Sequence, residues 1–268
     1  MSNIPIEKVL EYMVNAEKEA ASLMMQAHNV LAEAKTGRRD VVTEYDRRIQ
    51  ELLIEKLSSD IPGALFFCEE EDRRADLSAE HVFIIDPIDG TMNFVKGFHH
   101  SCISAAYSSG SEIKAAAVYN PYADELFTAV KGGGAFLNGK KISVSDDPVS
   151  ESIVCCGTSP YYPIMTDVTF DIMRKIFKAS LDIRREGSAA LDLCSVAAGR
   201  AGVYFELSVY LWDYAAAALI VTEAGGRVCD INGEPLPWNG GRTSIVAGSE
   251  KNCAEFLSIT NKNIRKRG

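Results

Sequence analysis

The stretch "VFIIDPIDGTMNF" (Val82–Phe94) carries most of the information in this chain. Four apolar residues, Val82 to Ile85, run into two aspartates separated only by Pro87 and Ile88. A strand of that kind is buried, and Asp86 and Asp89 leave its C-terminal end, where α/β sheets bind their ligands. Two unpaired buried carboxylates are costly, because like charges raise each other's pKa and resist burial. A basic partner, solvent or a metal ion would each relieve the cost. Within the motif no lysine or arginine occurs before Lys96. A tight cluster of oxygen donors suits Mg²⁺ or Mn²⁺. Pro87 fixes its own φ and lacks an N–H, which stiffens the turn so that the Ile88 carbonyl can face inward as a further oxygen. Gly90 permits close backbone approach. "DGTMNF" then reads as the opening of a helical turn whose free N–H groups would cradle a phosphate, with the Thr91 hydroxyl beside them.

Two other stretches place acids in the same way. "FFCEEED" ends an apolar strand at Glu69, followed by Glu70, Glu71 and Asp72, and "YLWDYAAAALIVTEAGG" puts Asp213 at the start of a clean helix. Each has a plainer reading: a solvated acidic turn for Glu69 to Asp72, a helix N-cap for Asp213, an Asx turn for Asp86 and Asp89.

The 268 residues suffice for one large domain or two smaller ones. A hydrophobic fraction of 47% and a charged fraction of 24% are ordinary for a globular chain. No run is apolar for the ~20 residues of a membrane span, and the N-terminus lacks the pattern of a signal peptide. A cytoplasmic location and no membrane partner are therefore expected. The net charge of −9 argues against a nucleic-acid partner without excluding an anionic substrate, since bound cations invert the field of an acidic cleft. The seven cysteines form no C-x-x-C pair and read as reduced, buried thiols. The four histidines lack zinc-site spacing.

Helical periodicity covers residues 4–34 and 44–57. Short strands and turn signals from 102 to 144 predict an antiparallel meander. Beyond about residue 147, strands alternate with helices at 163–178, 188–198, 212–223 and 250–260. The expected organisation is an α/β (α+β) fold with an N-terminal part, 1–145, carrying the metal loop and acidic turn. A closely packed C-terminal part, 146–268, would carry Asp213 and the substrate-lining residues.

The motifs resemble those of the inositol monophosphatase family, within the larger group of Mg²⁺-dependent, lithium-sensitive phosphatases that includes fructose-1,6-bisphosphatase. "IIDPIDGTMNFVK" (Ile84–Lys96) and "WDYAAAALIVTEAGG" (Trp212–Gly226) carry the likeness, with "RREGSAALDL" (Arg184–Leu193) between them and "DVVTEYD" (Asp40–Asp46) upstream. The resemblance spans about residues 5 to 260 and implies a layered αβαβα sandwich and a homodimer. It implies hydrolysis of the phosphate monoester of a small polyol, foremost myo-inositol monophosphate, by water activated at two to three Mg²⁺ ions. Mn²⁺ would be a substitute and Li⁺ an inhibitor. By the same resemblance, Glu69, Asp86 and the Ile88 carbonyl would hold one ion. Asp86, Asp89 and Asp213 would hold a second, and a third would lean on Glu69. Gly90 and Thr91 would bind phosphate through backbone N–H groups. Thr91 and Asp46, with Glu69, would orient and deprotonate the attacking water. Asp89, Gly187, Ser188, Ala189, Glu206 and Asp213 would meet the substrate's hydroxyls, and Lys35 would lie near the metal loop. Fructose 1,6-bisphosphate is the alternative substrate, alone or as part of a dual activity; histidinol phosphate and adenosine 3′,5′-bisphosphate rank lower. A non-catalytic regulator would be expected to lose an acid of this set, and none is lost. His99 and His100 read as packing or turn residues, and Arg184 and Arg185 as cations facing a second phosphate or a partner subunit.

Overall fold

The first segment leaves its helix sooner than its periodicity predicts. In the computed structural model, which describes residues 4–28, 30–37, 40–70 and 73–261, helix α1 (Ile6–Met25) buries Val9, Met13, Ala16, Ala20 and Met24. Beyond Met25 the helix ends at Gln26, although Ala27 and Val30 still pack against the same core. The chain instead forms a hairpin of β1 (Ala32–Gly37) and β2 (Asp40–Thr43), so the helix expected to reach residue 34 stops at Met25. Helix α2 (Glu44–Asp60) follows directly and buries Ile49, Leu53 and Leu57 at helical spacing.

Next come β3 (Leu65–Cys68), β4 (Val82–Asp89), the short helix α3 (Thr91–Lys96), and β5 (Cys102–Ser109), β6 (Glu112–Asn120), β7 (Glu125–Val130), β8 (Gly134–Leu137) and β9 (Lys140–Lys141). The seven strands form one sheet in chain order. Its β3–β4 pair is parallel, and the pairs from β4 to β9 form the expected antiparallel meander. The remainder supplies β10 (Ile153–Cys156), α4 (Thr166–Phe177), β11 (Asp182–Arg184), α5 (Ala189–Ala197), β12 (Val203–Val209), α6 (Leu211–Glu223), β13 (Arg227–Cys229), β14 (Thr243–Gly248) and α7 (Glu250–Asn261). Its five strands form a mixed second sheet in the order β11-β10-β12-β14-β13.

Strand alternation sorts the side chains into layers. Phe83 and Ile85 pack against α1 and α2, whereas Val82 and Ile84 face α5 and α6. In the second sheet, Tyr204 faces α5 and α6 while Val203 and Phe205 pack with Ile172 and Ile176 of α4 and Phe256 of α7. The order of layers is helices, sheet, helices, sheet, helices: the expected αβαβα sandwich. Helix α6 lies between two sheets, which explains why it is apolar on nearly every face. Its N-terminus is one of the places where acids from different layers meet.

Candidate metal and phosphate site

β4 does not end at Ile85 as the hydrophobic run suggested; it continues to Asp89. Asp86 opposes Ser104 and Asp89 opposes Cys102, so three steps on β4 match two on β5. The extra residue is a β-bulge, and it reverses the alternation. Ile88 joins Ile85 in the α1/α2 layer. Asp89 turns to the α5 side, where its Oδ2 accepts from Ser188 Oγ at 2.5 Å and from the Ala190 N–H at 2.7 Å. Asp86 Oδ1 accepts the Ile88 N–H at 3.0 Å, which braces the bulge. The Asx contact expected as the plain alternative is therefore present, and it leaves the second oxygen of Asp86 for other partners.

Asp213 comes from the layer above. It is the third residue of α6, not its N-cap, and its Oδ2 accepts the Tyr210 N–H at 2.7 Å. Asp46 repeats the device at the third position of α2. Its Oδ2 accepts the Thr43 N–H at 2.8 Å and the Thr43 hydroxyl, closing a capping box. Its Oδ1 receives the Thr91 hydroxyl at 3.2 Å. The same hydroxyl lies 3.1 Å from the Ile88 carbonyl. One hydroxyl proton thus has two acceptors, and any cation that engages the Ile88 oxygen directs it to Asp46.

Glu69 extends the parallel pairing of β3, its N–H donating to Ile85 O at 3.1 Å. Gln50 of α2 holds the next residue from both sides: its Nε2 donates to Glu70 O at 2.9 Å and its Oε1 accepts the Glu70 N–H at 3.1 Å. Lys35, brought over by the β1–β2 hairpin, contacts Glu69 Oε1 at 2.9 Å and also pairs with Glu70. Glu71 and Asp72 of the acidic turn lie outside the described residues.

The electrostatics show how costly this convergence is. Burial pushes Asp86 well above the usual carboxylate range, and the Glu69, Asp89 and Asp213 charges add to it. Asp213 is raised by burial, then by Glu69 and Asp89, against its bond from Tyr210. Asp89 is raised by burial against the pull of its Ser188 and Ala190 donors. Burial lifts Asp46 to about 6 despite Thr43, and Glu70 to about 7 with help from Glu69. Burial lowers the Lys35 ammonium, but Glu69 and Glu70 outweigh it and hold it up. An ammonium already answers the field of Glu69. Asp86, Asp89 and Asp213 have no lysine or arginine among their hydrogen bonds or salt bridges in the described residues. This all-oxygen donor set fits hard divalent cations.

Gly90 and Gly187 let two backbones meet beside these acids. Both have positive φ, +87° and +89°, and a Cβ on Gly90 would lie 3.0 Å from His100 O and 3.2 Å from Gly187 O. Ser188 is 1% exposed, and its hydroxyl is bonded to Asp89. Ala189 opens α5 next to it. Glu206 is clamped: Tyr204 Oη donates to its Oε2 at 2.8 Å, and the Ser159 N–H and hydroxyl donate to its Oε1 at 2.8 and 3.0 Å. A Cβ on Gly157 would overlap the Glu206 carboxylate. Sequence reading missed Gly157, Ser159 and Tyr204, because 47 residues separate Ser159 from Glu206 and no local pattern links them. His99 stacks on Tyr122, Arg184 pairs with Asp182, and Arg185 Nε donates to Thr158 Oγ1.

The comparisons with known proteins agree with this architecture. The model of the "Inositol monophosphatase family" matches residues 6–265. An inositol monophosphatase of Dictyostelium discoideum is 38% identical over 243 residues, covering 87% of this chain and 88% of that protein. The Nus factor SuhB of Pasteurella multocida is 35% identical, covering 93% and 94%. The solved structure of an IMPase from Thermotoga maritima superposes with a TM-score of 0.86 at 32% identity, covering 97% of this chain and 99% of that one. Matched from α1 to beyond α7 in sequence and layer by layer in fold, the chain belongs to the inositol monophosphatase family and is a phosphoric monoester hydrolase.

Proposed function

We propose that this hydrolase cleaves the phosphate monoester of a small polyol, myo-inositol monophosphate foremost, with Mg²⁺ as its cofactor. The observation that carries the reading is the meeting of Asp86, Asp89 and Asp213, the first two buried, beside the Thr91–Asp46 hydrogen bond. In this reading Glu69, Asp86, Asp89, Asp213 and the Ile88 carbonyl hold two to three cations, with Mn²⁺ as a substitute and Li⁺ as a competitor. Cations held there supply Lewis acidity at the phosphate and lower the pKa of water. The rest falls to the chain's own groups. The Gly90 and Thr91 N–H groups at the start of α3 receive phosphate oxygens. Asp46 Oδ1 orients the Thr91 hydroxyl, which aligns the attacking water and relays its proton to Asp46. A carboxyl lifted to about 6 is ionised near neutral pH yet still basic enough for that transfer. Water attacks phosphorus, the phosphorus–alcohol bond breaks, and the leaving oxygen is protonated from solvent. Glu206, fixed by three donors, and the Gly187–Ala189 turn would read the hydroxyls of the alcohol.

Fructose 1,6-bisphosphate is the second reading, since Arg185 adjoins the turn at Gly187 and offers a cation for another phosphate. A substrate panel at fixed Mg²⁺ decides between them. Inositol 1-phosphate, fructose 1,6-bisphosphate, histidinol phosphate and adenosine 3′,5′-bisphosphate are compared by kcat/KM; preference for the last overturns the polyol assignment. The homodimer belongs to the same proposal, supported by the exposed Ile164, Phe170 and Phe177 around α4. So does a cytoplasmic location, which buried thiols such as Cys102 and Cys194 suit. Among the described residues no helix is long and apolar enough to cross a membrane. Several relatives are named Nus factors; the intact acid set favours catalysis over a purely regulatory role.

A further inference from the structure

A second group of metal-ligating side chains lies away from the four acids. His100, Glu186 and Asp192 each present one donor atom, and these three atoms lie within 4.8 Å of one another. His100 Nε2 and Glu186 Oε2 are 3.4 Å apart. Both residues line a cavity of about 400 Å³. Asp192, on α5, is the buried member at 1% exposure. Two atoms of the group lack hydrogen-bond partners although they are buried: Asp192 Oδ1 and His100 Nε2. A carboxylate oxygen and a ring nitrogen that are buried without hydrogen bonds are each costly to keep from water, and a cation between them would satisfy both.

We infer that His100, Glu186 and Asp192 form a binding site for a transition-metal dication of the Zn²⁺ class, separate from the Mg²⁺ site. The donor set selects the ion: imidazole suits Zn²⁺ and its neighbours, whereas Mg²⁺ prefers oxygen donors alone. Ligands at about 2.0–2.1 Å from a tetrahedral ion lie roughly 3.4 Å apart; His100 and Glu186 stand at that separation, and the Asp192 oxygen lies within 4.8 Å of both. Three protein ligands leave a fourth position open to the cavity.

The site is tied to the catalytic side of the fold. Asn93, in α3, donates its side-chain N–H groups to His100 O and Glu186 O, each at 2.7 Å, and so holds both backbones. Glu186 immediately precedes Gly187, and Asp192 sits on the helix whose first turn donates to Asp89. An ion here would therefore stiffen the turn placed to read the substrate. No spacing rule could reveal it, because His100 and Asp192 are 92 positions apart and the third ligand lies in the turn before α5.

The test is Co²⁺ titration of the tag-free full-length protein in excess Mg²⁺, read by visible absorption. One equivalent of Co²⁺ is expected, with intense absorption of a four-coordinate ion that Zn²⁺ abolishes. Both should be lost in His100→Gln and Asp192→Asn, and binding should weaken at least about tenfold in Glu186→Gln. Glu186 is exposed, so its variant keeps the test decisive if a buried substitution disturbs folding. The signal should persist in Asp213→Asn, which damages only the Mg²⁺ site, so failure here and failure of the proposed phosphatase mechanism are told apart. Absence of stoichiometric Co²⁺ binding, survival of the signal in Glu186→Gln, or its loss in Asp213→Asn would each overturn the inference.

Discussion

Replacing Asp46 with asparagine should make the cation-free protein more stable while disabling it. Asp46 is fully buried, and its carboxyl is raised from 3.8 to about 6, chiefly by burial. A folded-state pKa above the unfolded one means that the folded state holds its proton longer. The associated stability is complete below pH 3.8 and is lost as pH rises through about 6. Ionised Asp46 therefore costs the fold roughly 3 kcal/mol at pH 8 and about half that at pH 5. The asparagine side chain would be neutral at both. Its oxygen can still accept the Thr43 N–H, but a weaker capping box gives back about 1 kcal/mol. The net gain at pH 8 is about 2 kcal/mol, or roughly 4–8 °C in Tm for a chain of this size. Turnover should fall by about 10²- to 10⁴-fold, because the Thr91 hydroxyl loses its proton acceptor. Thermal melts of chelator-treated protein at pH 5 and pH 8, beside phosphate-release assays with Mg²⁺, read both effects. A variant that melts below the parent at pH 8, or an advantage that does not shrink at pH 5, refutes burial as the cause of the Asp46 shift.

Mg²⁺ at about a hundred times its Kd should stabilise the protein by about 2.7 kcal/mol; calorimetry should show this gain nearly gone in Asp86→Asn, whose carboxylate faces Glu69, Asp89 and Asp213. Ser188→Ala removes the hydroxyl donor to Asp89, so the half-saturating Mg²⁺ concentration should rise roughly 10- to 100-fold with the fold intact by circular dichroism. An unchanged Mg²⁺ dependence would remove Ser188 from the support of Asp89. Gly157→Ala should displace the Glu206 carboxylate and cut kcat/KM for a polyol phosphate by about tenfold or more, yet spare an aryl phosphate that offers no hydroxyls. Equal losses on both substrates would argue that Glu206 reads no hydroxyl.

What could be read from the sequence was local. The meander announced itself through turn pairs such as Ser109-Gly110 and Asn138-Gly139, and the helices from α4 to α7 through their periodicity and flanking turns. Residues 26–34 misled because Ala27 kept the helical spacing, whereas the next residues gain more by pairing with β2. That pairing delivers Lys35 to Glu69, a contact no periodicity predicts. Asp46 and Asp213 were visible as acids near helix starts. Their shared trick, one oxygen on the cap and the other turned elsewhere, appears only once the helix boundaries are fixed. The Glu206 clamp is legible nowhere in the chain, since its parts come from β12 and from the loop after β10.

The three-residue spacing of Asp86 and Asp89 is itself the most informative detail. Residues three apart on a regular strand point to opposite faces, so regular pairing would aim Asp89 at the apolar layer of α1 and α2, an uncompensated charge among Phe83, Ile85 and Ile103. The bulge removes that conflict by adding one residue between the acids. Pro87 suits this place because it has no N–H to lose from the ladder. Residue count should therefore matter more than the proline. Pro87→Ala keeps the count; it should cost roughly 0.4–1 kcal/mol of stability and retain the Mg²⁺-dependent rise in Tm. Inserting one alanine after Ile103 gives β5 the matching residue; regular pairing then aims Asp89 at the α1/α2 layer and should abolish that rise. An insertion variant that still gains stability from Mg²⁺ would mean that Asp89 reaches the other acids without the bulge, and the parity explanation would fall.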